Sequence, residues 1–470
     1  MNRSILGRLA DGRTAWEPYE PSPAAPWNLQ RVGHLFRRAA FGATHEQLQT
    51  ALNEGPAKTL DRLLAGGPDQ TEFYQKFDRL GDTVSAYNSD EQMRAWWLFA
   101  LVNSPHPLRE KMTLFWHNHF ATSNAKVNHV GYMIRQNQLF RRHALGRFDI
   151  MLQEVSKDPA MLVWLDTIQS RKGKPNENYA RELMELFSLG LGHYSEFDIR
   201  EAAKAFTGWT LKNENFYFNP SEHDPSPKRV FGREGNYGGE DIVKLCLEKE
   251  ASASFIVRKL YRAFISETQT PSDALIEPLA ERFRRSRFDL HDLVGTMLRS
   301  RLFFSEAAYR ARIKSPVEFA LGLVRGLEGQ VGTQSLAEAL DNLGQRLFYP
   351  PSVKGWDGGE NWLNGTTLLL RQNLALAMTS TEDARFGRRA DPVRLAQKYG
   401  ASDDAGVIDL FLRIFLQNDV PDPSRARLHE YAAKSRQQTF PAYWTPRDIA
   451  EHRIRTLAYL VVSMPEYQLD

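Results

Sequence analysis

Two carboxylates three residues apart, Glu182 and Glu185, are the first groups in this chain that could do chemistry. They lie in Asn178-Tyr179-Ala180-Arg181-Glu182-Leu183-Met184-Glu185-Leu186-Phe187, a run with helical periodicity. Residues three apart on a helix share a face, and Asn178 sits one turn earlier on the same face. Two carboxylates so placed can ligate a hard or borderline metal, or divide acid and base roles. The same spacing also suits a solvated face, where Arg181 pairs with Glu177 or Glu185.

Histidines offer the next candidates. His117 and His119 lie two apart in Trp116-His117-Asn118-His119-Phe120. On an α-helix, residues two apart point about 200° away from each other. His119 shares the face of Met112 and Phe115, whereas His117 shares that of Glu110 and Thr113. Both can reach one ion only where the helix has already ended; otherwise one is a core histidine and the other a surface one. His223-Asp224, followed by Lys228, lies in a polar, Pro-rich stretch. A loop of that kind can donate ligands to a site built on a helical scaffold, and Asp224 before Pro225 also reads as a turn starter. Asp198 and Glu201 read as capping plus surface charge. The run Pro350-Pro351-Ser352-Val353-Lys354-Gly355-Trp356 reads as a shaped, Trp-anchored loop in which Lys354 could meet an anion. It lacks the spacing of a phosphate-binding P-loop. Nucleophile-elbow, zinc-protease, dinucleotide-binding and calcium-loop signatures are missing.

These residues need elements to position them, and the texture from Leu29 onward is helical. Thr44 with Gln47 and Ser195 with Asp198 form capping-box patterns. Helices are expected over Glu91–Val102, from Ser104-Pro105 through His119, over Asn176–Leu189, and over Ser195–Thr207 with Gly208 ending it. Short runs at Asn215–Asn219 and Arg229–Phe231 flank the Pro-rich loop and suggest a β-hairpin. The expected fold is mainly α: one large helical domain over 28–470, with a small β-hairpin insertion and the Gly/Pro/Trp-rich ordered loop. A subdivision near 209–240 is possible, and residues 1–27, with four prolines, read as a loose arm.

Composition narrows the classes. Of 470 residues, 42% are apolar and 25% charged, ordinary for a globular protein. Sixty basic and 57 acidic residues leave a net charge of +3, too balanced to make nucleic acid the main partner. The single cysteine, Cys246, excludes an internal disulfide and multi-cysteine metal sites, and its apolar context reads as a small buried residue. No run approaches the roughly 20 apolar residues of a membrane span. The first 26 residues do not read as a signal peptide, so a cytoplasmic home is the default, with export alongside a partner left open.

Taken together, the motifs resemble the bacterial family known as domain of unknown function 1800. The matching pieces are His34-Leu35-Phe36-Arg37-Arg38-Ala39-Ala40-Phe41-Gly42, Arg109-Glu110-Lys111-Met112 with Phe115–Phe120, and Asn178–Gly190. Tyr194-Ser195-Glu196, Phe206-Thr207-Gly208-Trp209, His223-Asp224, Lys228, Ile313–Glu318 and Pro350–Trp356 follow in order. The resemblance implies no established activity. It implies genomic company, often with a second family similar to sulfatases and alkaline phosphatases.

The leading expectation is therefore a metal-dependent enzyme, a hydrolase or an oxidoreductase. Glu182, Glu185, Arg181 and Lys228 would be catalytic. His119, His223 and Asp224 would hold one divalent metal in a pocket roofed by the hairpin and the Lys354 loop. The alternative is a non-enzymatic partner or assembly factor for a sulfatase- or phosphatase-like neighbour.

Overall fold

The computed structural model describes residues 12–386 and 389–470, and these are mainly helical. The helices that matter for the site are α1 (Leu29–Ala39), α2 (Asp90–Asn103), α3 (Pro107–His119) and α4 (Val130–Arg142). They are followed by α5 (Asn178–Glu182), which runs into a π-helical segment (Leu183–Ser188), and by α6 (Glu196–Ala205). Later come α7 (Gly239–Glu248), α8 (Glu250–Phe264), α9 (Pro316–Gly326), α10 (Gly365–Thr379), α11 (Asp404–Leu416) and α12 (Pro446–Val462).

Local chemistry explains where several of these begin. Ser195 and Asp198 form a full capping box at α6, as do Thr44 and Gln47 at the helix His45–Ala65. The start of α3 differs from the sequence reading. Its cap is His106, whose Nδ1 accepts from the Arg109 N–H at 3.3 Å, and Pro107 occupies the first turn. Ser104 is displaced from that role because its hydroxyl already accepts from the His106 N–H at 3.0 Å and bonds Tyr74 Oη at 2.7 Å.

Apolar burial assembles two clusters. One gathers Val32, Trp116, Phe148, Tyr179, Phe264 and Phe303; the other gathers Trp96, Trp97, Ile134, Val317, Phe411 and Leu457. Helix α3 runs between them, sending Leu108, Met112 and Trp116 to the first and Leu114 to the second. The face of α3 expected to meet water is therefore interior. Glu110 on that face is fully buried, and Arg141 of α4 pairs with it through two bonds of 2.7 and 3.1 Å. Tyr74 adds a donor at 2.9 Å, and Phe77 and Trp96 lie against the guanidinium. A buried ion pair of this kind needs such extra donors and walls to offset the cost of desolvation.

A second buried ionic network ties distant parts of the chain together. Lys111 of α3 donates to Glu318 at 2.5 Å and to the Arg37 carbonyl of α1 at 3.1 Å. Arg312 reaches Glu318 at 3.3 Å, and Asp470 lies 3.5 Å from Arg312. Arg38 donates to the carbonyls of Ile265 and Ala308, and Arg371 to that of Lys314. Burial alone would push the Glu318 carboxyl up, but Lys111 and Arg312 outweigh it and hold it well below the usual range.

The β structure consists of two separate antiparallel hairpins. Strand β1 (Trp209–Lys212) pairs with β2 (Asn215–Phe218), and β3 (Lys228–Val230) with β4 (Arg233–Gly235). The run at Asn215–Asn219 thus does not pair with Arg229–Phe231. Each strand instead turns back through two residues with positive φ, Asn213-Glu214 (50° and 62°) and Phe231-Gly232 (51° and 78°). Two-residue turns with both φ positive match the natural strand twist, so each hairpin closes locally.

The arm is not loose over the part described. Trp16 is buried with its indole N–H on the Leu275 carbonyl at 2.7 Å, and the backbone of residues 15–19 bonds to that of 299–302. Residues 1–11 of the expected arm lie outside the described residues. Cys246 is buried and its thiol is pushed up to about 12 by desolvation, as suits a packing residue. Among the described residues no helix is long and apolar enough to cross a membrane.

Candidate functional site

The helix that carries the paired carboxylates changes its winding between them. Glu182 closes α5, and Leu183–Ser188 continue as a π-helix. The Ser188 hydroxyl donates to the Leu183 carbonyl at 2.5 Å, and the Leu189 N–H to that of Met184 at 3.0 Å. Gly190 then ends the segment at φ 81°, where a Cβ would stand 3.0 Å from the Phe255 ring of α8. π turns occur mostly as local insertions in helices, frequently at functional sites.

Glu182 and Glu185 remain close enough to repel. Burial, and then the Glu185 charge, raise the Glu182 carboxyl above its ordinary value; Arg181 and Lys354 act the other way. Glu182 takes no hydrogen bond and no ion pair among the described residues. Glu185 accepts from the Tyr194 hydroxyl at 2.9 Å. The Tyr194 phenol is pushed up by burial and then by that bond. Lys354, from the Pro-Pro-x-Val-Lys-Gly-Trp loop, is exposed and lies within electrostatic range of Glu182.

Asn118 fixes that loop against α3. Its Oδ1 accepts from the Trp356 N–H at 2.7 Å and its Nδ2 donates to the Trp356 carbonyl at 3.3 Å. Gly355 stands at φ 82°, and a Cβ there would be 2.2 Å from Asn118 Oδ1. On the far side, Arg262 of α8 donates to the Asp357 carbonyl at 2.8 Å. One turn earlier on α8, Lys259 lies 5.3 Å from the Phe255 ring centre. Among the described residues its ammonium has no carboxylate partner, and burial followed by the Arg262 charge lowers it from its usual value. A raised carboxyl and a lowered ammonium thus occupy neighbouring elements, a pattern that concentrates at functional sites.

The remaining expected site residues hold the scaffold. Arg181 is engaged by Glu196 through bonds of 2.7 and 2.8 Å and by Glu177 at 3.3 Å. Lys228 is buried, with its ammonium on the carbonyls of Asp224 at 2.7 Å and Ser226 at 3.0 Å. His223 shares its Nδ1 with the Thr207 carbonyl at 2.9 Å, while the Thr207 hydroxyl accepts from the Asp224 N–H at 2.8 Å. Asp224 Oδ1 accepts from both the N–H and the hydroxyl of Ser226. Together these bonds staple the second hairpin to the end of α6. Asp198 and Glu201 complete the staple by accepting from the Phe231 and Arg229 N–H groups at 2.7 and 3.1 Å, roles beyond the capping and surface charge read from the sequence.

The metal set does not assemble. His119 is enclosed by Phe115, Trp116, Phe120 and Phe187, with Nε2 on the Phe187 carbonyl at 3.1 Å. Burial, and then Lys259, keep its ring well below its ordinary pKa. His117 is also interior, 4.9 Å from the Trp97 ring and 5.9 Å from that of Trp356. Among the described residues there is no group of three or more His, Cys, Asp or Glu side chains able to hold a metal ion. His119 is committed to the Phe187 carbonyl, whereas His223 and Asp224 are committed to Thr207 and Ser226 in the hairpin staple.

The family model described as "Protein of unknown function (DUF1800)" matches residues 34–469. The chain belongs to this family. Comparison with curated proteins and with solved structures gave no match. Within this DUF1800 chain, the motifs divide by task. Residues 34–42, 109–112 and 313–318 meet in the buried ionic network, and 206–209, 223–224 and 228 meet in the hairpin staple. Residues 116–120 join 350–356 through Asn118 and Trp356 and join 178–190 through His119 and Phe187, and Lys354 acts on Glu182. Lys259 and the clamp by Asn118 were not anticipated from the sequence. Lys259 stands between Arg258 and Arg262 in a basic helix face, and its only distinguishing signal was Phe255 four residues earlier.

Proposed function

We propose that this DUF1800 protein is a hydrolase in which Glu182 and Glu185 divide acid and base roles. The observation that carries this reading is Glu182 itself: half-buried, raised, without a hydrogen-bonding partner, and beside a second carboxylate that Tyr194 holds as its acceptor. Paired titratable groups in unequal surroundings are how one site keeps an acid and a base at one pH. Glu182 would donate the proton to the leaving group, and Glu185 would accept one from water. Lys354, within electrostatic range of Glu182, favours a substrate that carries negative charge near the scissile bond. No third ligand joins the carboxylates among the described residues, so the reading uses them as acid and base.

The test is turnover of a panel of chromogenic carboxylic, phosphate and sulfate esters and glycosides. Wild type should hydrolyse one class, and Glu182→Gln should lower kcat about 100-fold, the lower end of what a general acid contributes. Absence of turnover across the panel, or a Glu182→Gln rate equal to wild type, overturns the proposal.

A second reading rests on Leu191 and Phe197, which flank Tyr194 and are 74% and 48% exposed. Exposed apolar groups beside a motif suit a docking surface, as an assembly factor for a sulfatase- or phosphatase-like neighbour would need. Co-purification with such a neighbour that is lost in Leu191→Asp, without turnover of the panel, would favour it.

A further inference from the structure

A cleft of about 610 Å³ lies between the end of α10 and the start of α12, well away from Glu182 in sequence. Its size falls in the range of small-molecule sites. Four aromatic side chains line it: Tyr431, Tyr443, Trp444 and Tyr459. Trp444 is held in place from behind. It stacks on Phe440 with ring centres 5.4 Å apart and planes 16° apart, and His452 meets its edge-on at 5.2 Å. Tyr443, also lining the cleft, is 83% exposed.

The charge around these rings is negative. Among the described residues, Glu382, Asp448 and Glu451 line the cleft with one arginine, Arg455. Arg455 is already spent: it donates to Asp391 at 2.8 Å and to the Thr379 carbonyl at 3.3 Å. Asp448 is the α12 capping carboxylate, held below its usual range by the Thr445 N–H and hydroxyl, so it stays charged. Glu451 pairs with Arg447 at 2.9 Å on the exposed side. The Glu382 carboxylate has no hydrogen bond or ion pair among the described residues.

We propose that this cleft binds a small organic cation of the alkylammonium class. Aromatic faces attract cations through their quadrupole, and an uncompensated carboxylate adds the complementary charge. A neutral sugar could stack on the same rings, but it would leave Glu382 unpaired in charge. An anionic ligand would meet three carboxylates.

The test is isothermal titration of the full chain with choline and with its neutral isostere 3,3-dimethyl-1-butanol. Choline should bind, and the isostere should bind about tenfold more weakly or worse, since only the cation gains from the rings and the carboxylate. Trp444→Ala should abolish choline binding, and Glu382→Gln should weaken it several-fold while leaving the circular dichroism unchanged. Glu382 is at the surface, so its variant tests the idea even where Trp444→Ala fails to fold. No heat with choline, equal binding of the isostere, or binding of a neutral oligosaccharide in place of choline would overturn the proposal. So would choline binding that survives both substitutions.

Discussion

Asn118 grips Trp356 by both sides of its backbone, accepting its N–H at 2.7 Å and donating to its carbonyl at 3.3 Å. Two motifs more than two hundred residues apart are thereby locked in one geometry. The carboxamide does what neither neighbouring histidine does: it positions the Lys354 loop beside Glu182. Replacing Asn118 by Asp removes the donor and sets a carboxylate against the Trp356 carbonyl. Asn118→Asp should lower stability by about 1–3 kcal/mol, the cost of an unsatisfied buried group. Hydrogen exchange over residues 350–358 should speed up more than exchange elsewhere. Uniform exchange rates in wild type and variant would show that the loop is held by other means.

The Arg141–Glu110 pair predicts a large effect from removing one partner alone. Glu110→Ala leaves a buried guanidinium uncompensated and should destabilise the fold by about 3–5 kcal/mol. The double change Arg141→Met with Glu110→Leu should recover much of that loss, because apolar replacement of both charges removes the desolvation cost. Urea unfolding of the three proteins checks this. Equal losses for the single and double variants would mean that the pair is not an energetic unit.

Asp158 predicts a pH slope of unusual sign. It caps the helix Pro159–Trp164, accepts from the Gln136 amide at 2.7 Å, and is pushed up by burial to about 7. A carboxyl raised in the folded state binds its proton more tightly there than in the unfolded chain. Its contribution is therefore full at low pH and is lost as pH rises from 3.8 through about 7. Over that window the loss is about 4 kcal/mol as an order of magnitude. Asp158→Asn keeps the acceptor and removes the charge, so its stability should be flatter between pH 5 and 8 than wild type. Parallel curves would contradict the assignment.

His117 acts in the opposite direction. Burial among aromatic rings lowers it from 6.5 to about 3. A neutral folded ring contributes fully above the unfolded value and loses that contribution as pH falls from 6.5 toward about 3. His117→Phe should blunt acid unfolding across that range, as read by the midpoint of a pH titration followed by tryptophan fluorescence. An unchanged midpoint would show that the ring is not the acid-sensitive group.

Much of the fold was legible because it rests on local chemistry. Thr44-Gln47 and Ser195-Asp198 announce helix starts by side-chain bonds that close within four residues. The π turn after Glu182 was not legible, because the apolar and charged spacing of residues 178–190 suits an ordinary α-helix equally well. The interior position of His117 and Glu110 was missed for a related reason. Helical periodicity assigns one wet face to α3, and that face is covered by side chains from elsewhere in the chain, Tyr74 and Arg141 at Glu110 and Trp97 and Phe348 at His117. The pairing of Glu182 with Glu185 could be read from spacing, whereas Lys259 could not, since its isolation comes from which carboxylates fail to reach it. His223, Asp224 and Lys228 carry ligand-type groups, yet their bonds run to backbone, which sequence spacing does not reveal.

The most direct measurement is a carboxyl-carbon NMR titration of protein labelled at glutamate, with Glu182→Gln used for assignment. One glutamate should titrate above the ordinary value of 4.5, and its signal should vanish in Glu182→Gln. The same signal should move down in Glu185→Gln, because that substitution removes the repelling charge. A Glu182 that titrates at or below the ordinary value, or that ignores the loss of Glu185, would contradict the acid–base pair on which the proposed hydrolase rests.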